Sequence, residues 1–218
     1  MERPDDHLYC PKYEPWRADG EFQDAFKEAL PRSLVDRPRM WVLWQMARHT
    51  SHLKGEMWEC GVFKGGTARL IGKAVPWKAF RLFDSFQGFP ELDPERDSDQ
   101  IAGRFAGEDP DEVAEFVGSG RVQMHAGFIP ETFKGLEDKA VAFAHIDVDL
   151  YKSVMDCCKF IWPRMLVGGV MIFDDYAFPD CRGARDAVDE FFKESLAVPL
   201  CMMTGQAMVV KSTSFRII

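Results

Sequence analysis

Four aspartates close two apolar runs. Asp147 and Asp149 lie in HIDVDLY, and Asp174 and Asp175 in IFDDY. Acids that end apolar segments do not belong to a solvated run of charge. Gathered in one place they repel each other unless a cation intervenes. Oxygen donors without paired His or Cys ligands select a hard divalent cation such as Mg2+ or Ca2+. The spacing within HIDVD puts Asp147 and Asp149 on the same face of an extended strand. The plainer alternative is that one pair caps helices and the other is exposed.

A second constellation is the segment E-C-G-V-F-K-G-G-T, Glu59–Thr67. Gly61 permits a tight turn and the close approach of a ligand. Gly65 and Gly66 open a helix whose free N–H groups favour an anion. No Lys-Ser/Thr follows, so this is not a P-loop, and Phe63 stands where a dinucleotide fingerprint needs its second glycine. Asp84 closes the next apolar run, FRLFD. An acid in that place typically holds ribose hydroxyls, and the bland alternative is a turn or cap. Together the two features point to a nucleoside-containing ligand at one edge of a sheet. Trp58, Phe63, Phe83, Phe86, Phe89 and Phe128 surround this edge, most of them as expected core. His49 and His52 read as surface or packing residues, and His125 and His145 as hydrogen-bonded core. Zinc is not expected, and no GxSxG elbow is present.

These residues need elements to position them. Glu21–Leu30 hints at a helix, and Arg39–Leu53 carries apolar residues at helical spacing. Strands are predicted at 57–62, 80–86, 121–127, 141–149 and 167–175, with helices after the glycine turn and at 111–117, 150–162 and 183–194. Two last strands, 198–203 and 207–212, flank a TGQ turn. Alternating strands and helices predict an α/β fold, Rossmann-like, with a mostly parallel seven-stranded sheet, helices on both faces and a C-terminal antiparallel hairpin. Residues 1–36 are expected as an N-terminal extension or lid and 37–218 as the catalytic domain. The acidic stretch 90–120 also reads as a lid.

Composition bounds the partners. The chain has 218 residues, 46% of them hydrophobic, and a net charge of −8. That balance suits one globular domain and argues against nucleic acid as main partner. No apolar run is long enough to span a bilayer, and the N-terminus lacks a signal-peptide core. The six cysteines form no CxxC, so reduced thiols in a cytoplasm are expected.

The chain resembles the macrocin O-methyltransferase family, which includes sugar O-methyltransferases of macrolide and aminocoumarin antibiotic pathways. ECGVFKGG, FDSFQGFP, HAGFIPETF, HIDVDLYKS, GGVMIFDDY and GARDAVDEFF carry the resemblance, in order over residues 40–212. It implies S-adenosylmethionine and a divalent cation, usually Mg2+. Asp147, Asp174 and Asp175 match metal ligands, and Asp149 matches a general base. Glu59, Cys60, Gly61, Val62, Phe63, Gly66 and Thr67 match the stretch that wraps the methionine part of the cofactor, with Asp147 beside it. Asp84 and Ser85 match the ribose-binding position, and Gly127 and Phe128 the adenine-side loop.

The resulting expectation is methyl transfer to a hydroxyl of a small molecule, a sugar of a natural product or glycan before a catechol-type phenol. An NAD-type oxidoreductase and a non-catalytic module holding a structural cation are the rivals. The oxidoreductase does not explain four acids at two strand ends; the module is told apart by loss of metal, which would unfold it but would leave a catalytic site's fold intact. Tyr151, Tyr176, Phe178 and Arg182 lie near these acids in sequence and are candidate acceptor contacts. Homo-oligomerisation is compatible with the resemblance and with the apolar helix at 39–53.

Overall fold

The computed structural model describes residues 14–89, 92–98, 105–118 and 121–213. Seven strands form one sheet in the order β3-β2-β1-β4-β5-β7-β6. They are β1 Glu56–Cys60, β2 Phe80–Asp84, β3 Val122–Ala126, β4 Val141–Ile146, β5 Met165–Phe173, β6 Leu200–Cys201 and β7 Ala207–Val210. The first five pair in parallel, and β7 runs antiparallel to both β5 and β6. This is the α/β architecture that the alternating pattern predicts, with its hairpin at one edge. The strand order reverses between β1 and β4, and ligands in such sheets bind where it does so, beyond the C-terminal strand ends.

The helices are α1 Gly20–Ala29, α2 Arg37–Thr50, α3 Gly66–Ala74, α4 Pro110–Val117, α5 Tyr151–Ile161 and α6 Arg182–Phe192. Each α1 residue that recurs at helical spacing, Phe22, Ala25, Phe26 and Ala29, is buried. The α1 and α2 starts are capped by Asp19 and Asp36, which accept from Phe22 N and Arg39 N. One core cluster packs α1–α4 against one sheet face, and the other packs α5 and α6 against the opposite face. Central β4 is buried at every residue, as a strand covered on both faces must be.

Residues 14–36, expected as part of an extension or lid, join the first core cluster through Phe22 and Phe26. Phe22 meets the Trp41 and Trp44 rings at 4.9 and 5.9 Å. The expected lid at 90–120 lies partly outside the described residues. Its described parts are 92–98, anchored by Asp97, whose Oδ1 accepts from Tyr151 N at 2.9 Å at the start of α5, and 105–118, which carries α4. No helix among the described residues is long and apolar enough to cross a membrane. The five described cysteines are free.

Candidate active site

The strand ends at the order reversal open into a cavity of about 480 Å3. Its floor starts at the turn after β1. Gly61 adopts φ +85°, and a Cβ there would lie 1.7 Å from the Asp147 carbonyl oxygen. Only glycine tolerates both conditions. The close approach is therefore made by the neighbouring strand's own backbone, whose Asp147 N–H donates to Cys60 O at 2.8 Å. A Cβ on Gly66 would meet Ser33 and the Ala29 and Arg32 carbonyls within 2.7 Å, so the second glycine pair makes room for the segment after α1.

The free N–H groups of this turn have an internal partner. Asp84 Oδ2 accepts from Val62 N at 2.7 Å and from Phe63 N at 2.8 Å, and its Oδ1 accepts from Phe86 N at 2.8 Å. Asp84 thus pins two loops at once while its side chain still lines the cavity. Ser85 Oγ donates to Gly88 O at 2.7 Å and shapes the second of those loops.

The four acids converge on the same cavity. β4 ends at Ile146, so Asp147 and Asp149 do not share a face of one extended strand. Asp149 sits instead at a tight turn with φ +57°, in which Leu150 N donates to Val148 O at 2.5 Å. Asp is among the few side chains that tolerate this backbone, which turns the chain at once into α5. The carboxylate reaches the site by that turn, and the Cys181 thiol donates to its Oδ1 at 3.3 Å.

Asp174 and Asp175 follow β5 and differ sharply. Asp174 is fully buried and saturated: Gln206 Nε2 donates to Oδ1 at 2.7 Å, His145 Nε2 lies 3.4 Å away, and Arg39 Nη1 donates to Oδ2. Burial alone would raise its pKa, but the His145 hydrogen bond and the charges of His145 and Arg39 outweigh it and hold the carboxyl below its ordinary range. Asp147 and Asp175 have less such support; for Asp175 the hydrogen bond with Asp147 and the charge of Arg39 are outweighed. Burial and the surrounding carboxylates push both well above the usual range. Asp175 Oδ2 is buried with no hydrogen-bond partner.

Donor atoms of His145, Asp147 and Asp174 lie within 4.8 Å of one another, and so do those of Asp149, Asp175 and Cys181. Three carboxylates with an orphaned oxygen among them suit a hard divalent cation. The expected ligand set is divided between these groups, with Asp147 and Asp174 in the first and Asp175 in the second.

The remaining candidates divide. Gly61, Val62, Phe63, Thr67, Gly127 and Phe128 line the cavity. Glu59, Cys60 and Gly66 do not; Glu59 lies beneath it, wholly buried, with Oε1 2.7 Å from His145 Nδ1. Of the four proposed acceptor contacts only Phe178 is on the wall. Tyr176 OH instead donates to Asp189 at 2.7 Å, Arg182 pairs with Asp186 at 3.5 Å, and the Tyr151 ring lies under Arg96. Phe63, Phe83, Phe89 and Phe128 face the cavity, whereas Trp58 and Phe86 are core. Sequence reasoning missed Arg39, Cys181, Gln206 and the wall formed by Arg32–Val35. For Arg39 a signal existed. It stands four residues before Leu43 and eight before Ala47, on the apolar face of α2.

A family model described as macrocin-O-methyltransferase (TylF) matches residues 17–210. Among relatives, the 8-demethyl-8-(2,3-dimethoxy-alpha-L-rhamnosyl)-tetracenomycin-C 4'-O-methyltransferase of Streptomyces olivaceus is 32% identical over 153 residues, 63% of this chain and 58% of that one. The mycinamicin III 3''-O-methyltransferase of Micromonospora griseorubida is 33% identical over 155 residues, 63% of this chain and 60% of that one. The match thus spans about three fifths of the length of these curated relatives. The solved O-methyltransferase NovP superposes with a TM-score of 0.71 at 22% identity, over 84% of this chain and 83% of its own, which shows a shared fold.

Proposed function

The chain belongs to the macrocin O-methyltransferase family, and from that premise we propose that it transfers the methyl group of S-adenosylmethionine to a sugar hydroxyl of a natural product, with the help of a divalent cation such as Mg2+. The observation that carries this reading is the convergence of four carboxylates, one oxygen of them buried and unpartnered, on a cavity beside the glycine turn. A sugar is preferred to a catechol because the name of the first relative described above carries a rhamnosyl group.

When bound, S-adenosylmethionine would supply an electrophilic methyl and the cation Lewis acidity toward the acceptor oxygen. Asp147, Asp174 and Asp175 would hold the cation. Asp84 and the turn it pins would receive the ribose and methionine parts, with Gly127 and Phe128 on the adenine side. Asp149 would take the acceptor hydroxyl's proton at its carboxylate. The aromatic wall of Phe63, Phe89, Phe105 and Phe178 excludes water and presents flat apolar faces to an acceptor. Arg32–Val35 close the cavity from the N-terminal side, which gives this segment the role of a lid base.

Charge supports the reading. With every carboxylate ionised, Glu59, Asp147, Asp149, Asp174 and Asp175 face Arg39 and a protonated His145. The acids outnumber the positive groups, an excess that a divalent cation and a sulfonium would offset. A cytoplasmic setting, which supplies the cofactor and keeps thiols reduced, belongs to the same proposal.

The test is incubation with S-adenosylmethionine, Mg2+ and a panel of rhamnosides and catechols, followed by mass spectrometry. A methylated rhamnoside whose formation stops with chelator is expected. Methylation of catechols alone overturns the sugar assignment. Transfer that is indifferent to chelator overturns the cation. Absence of any binding of S-adenosylhomocysteine in calorimetry overturns the methyltransferase reading.

A further inference from the structure

Arg39 belongs to both the acid cluster and the N-terminal wall of the cavity. It is only 9% exposed. Its Nη1 donates to Asp174 Oδ2, its Nε to Asp36 Oδ2 at 3.0 Å and its Nη2 to Leu34 O at 3.3 Å. The guanidinium lies 4.8 Å over the Phe178 ring. One planar fork thereby joins the end of β5, residues 34–36 and the loop that follows β5.

Burying a guanidinium costs several kcal/mol unless charges and acceptors compensate it. Here the compensation is divided between a site acid and a wall of the site. Asp174 accepts from Gln206 and Arg39, and among the described residues Arg39 and His145 are the positive groups that pair with it. Leu34 and Val35 line the cavity, and Arg32 and Ser33 rest on Gly66. The course of this wall is thus fixed from one side by packing on the glycine turn and from the other by Arg39.

We propose that Arg39 is a positioning residue with two separable roles. It is the internal counter-cation of the acid cluster, competing with a divalent ion for Asp174, and it is the tie that holds residues 34–36 against the cavity. The first role rests on the cation site proposed above; the second does not. A divalent ion arriving at Asp174 meets a positive charge already in place, so Arg39 weakens cation binding while it limits repulsion among the acids without one. Lysine would keep a point charge near Asp174 but not the planar fork that reaches Asp36 and Leu34 together.

The experiment compares the full chain with Arg39→Met and Arg39→Lys. Calorimetry with Mn2+ as the probe reads the first role. Amide hydrogen exchange across residues 32–36, in chelator, reads the second. Arg39→Met is expected to bind Mn2+ about tenfold more tightly, the effect of removing one neighbouring charge in a partly screened site. Arg39→Lys is expected to bind it as the wild type does, and both variants to exchange faster across 32–36. Unchanged or weaker Mn2+ binding by Arg39→Met overturns the counter-cation role. Wild-type exchange across 32–36 in Arg39→Lys overturns the tie. Should Arg39→Met not fold, Arg39→Gln, neutral yet still a donor, carries the same affinity comparison. A wild type that binds no Mn2+ overturns the cation site of the proposed function and with it the counter-cation role, while the exchange result still decides the tie.

Discussion

Glu59 Oε1 and His145 Nδ1 meet at 2.7 Å, with neither side chain exposed to solvent. The pair exists because β1 and β4 are neighbours whose register sets Glu59 opposite His145. The ring's other nitrogen faces Asp174, the residue directly after β5. Three strands are thus linked beneath the cavity floor. Burial pulls the His145 pKa down, but hydrogen bonds to Asp174 and Glu59, with their charges, prevail and lift it to about 9.

Breaking this pair should be expensive. Glu59→Gln is expected to cost about 3 kcal/mol, because it strands a buried charge. The double variant with His145→Gln should cost less than the sum of the two single ones. Denaturant unfolding of all four proteins measures the coupling; strict additivity would show that the two side chains do not depend on each other.

Asp84→Ala removes the acceptor of three backbone N–H groups, those of Val62, Phe63 and Phe86. Each unmet donor costs about 1–3 kcal/mol where it is buried. The expected outcome is a lower melting temperature together with weaker binding of S-adenosylhomocysteine. A variant that loses affinity at unchanged stability would mean that Asp84 serves the ligand alone.

Asp175→Asn removes one of two carboxyls whose pKa values burial and neighbouring acids hold high. In chelator the variant should melt higher than wild type, by about 2–5 °C. On addition of Mg2+ the wild type should gain stability and the variant should not. The reverse order in chelator would indicate that Asp175 stabilises the cation-free fold.

Asp149→Asn keeps size and the tolerance of φ +57° but cannot take a proton. Turnover should fall by about 10^2–10^4-fold, the usual contribution of a general base. Affinity for S-adenosylhomocysteine should stay within about twofold of wild type, since RT ln 2 is a small energy. Retained turnover would move the base to another residue.

His125 carries a pH prediction away from the site. Its pKa is lowered first by burial and then by Arg81, whose Nη1 lies 3.2 Å from Nε2, against a smaller opposing pull from Glu56. A depressed histidine pKa means that the unfolded chain binds the proton more readily. The stability it contributes is therefore present above about pH 6.5 and lost as pH falls through the folded pKa. Unfolding free energies at pH 7.5 and 5 should differ less in His125→Gln than in wild type. An equal difference would place the acid sensitivity elsewhere.

Much of this molecule was legible in one dimension. Apolar runs bounded by Gly and Asp are strands because a doubly covered parallel strand has no polar face, and β4 bears that out. The four acids were recognisable because carboxylates rarely end apolar runs without a purpose. The helix at α2 can be read from its spacing, which puts Arg39 on the apolar face without marking it as a residue of the site. Helical spacing tells which face a residue occupies but not what that face meets, and the partner of Arg39 lies 135 positions away.

The sequence by itself determined the order of the elements, the glycine turn and the chemical type of the site. Those depend on local periodicity and on side-chain identity. Only the tertiary structure decided which acid is neutralised within the protein and which is not. Asp174 and Asp175 are adjacent in the chain, but one faces Gln206, His145 and Arg39 and the other faces its fellow carboxylates. That difference arises from strand order and from the course of residues 34–36, because charge interactions depend on distance in space rather than along the chain.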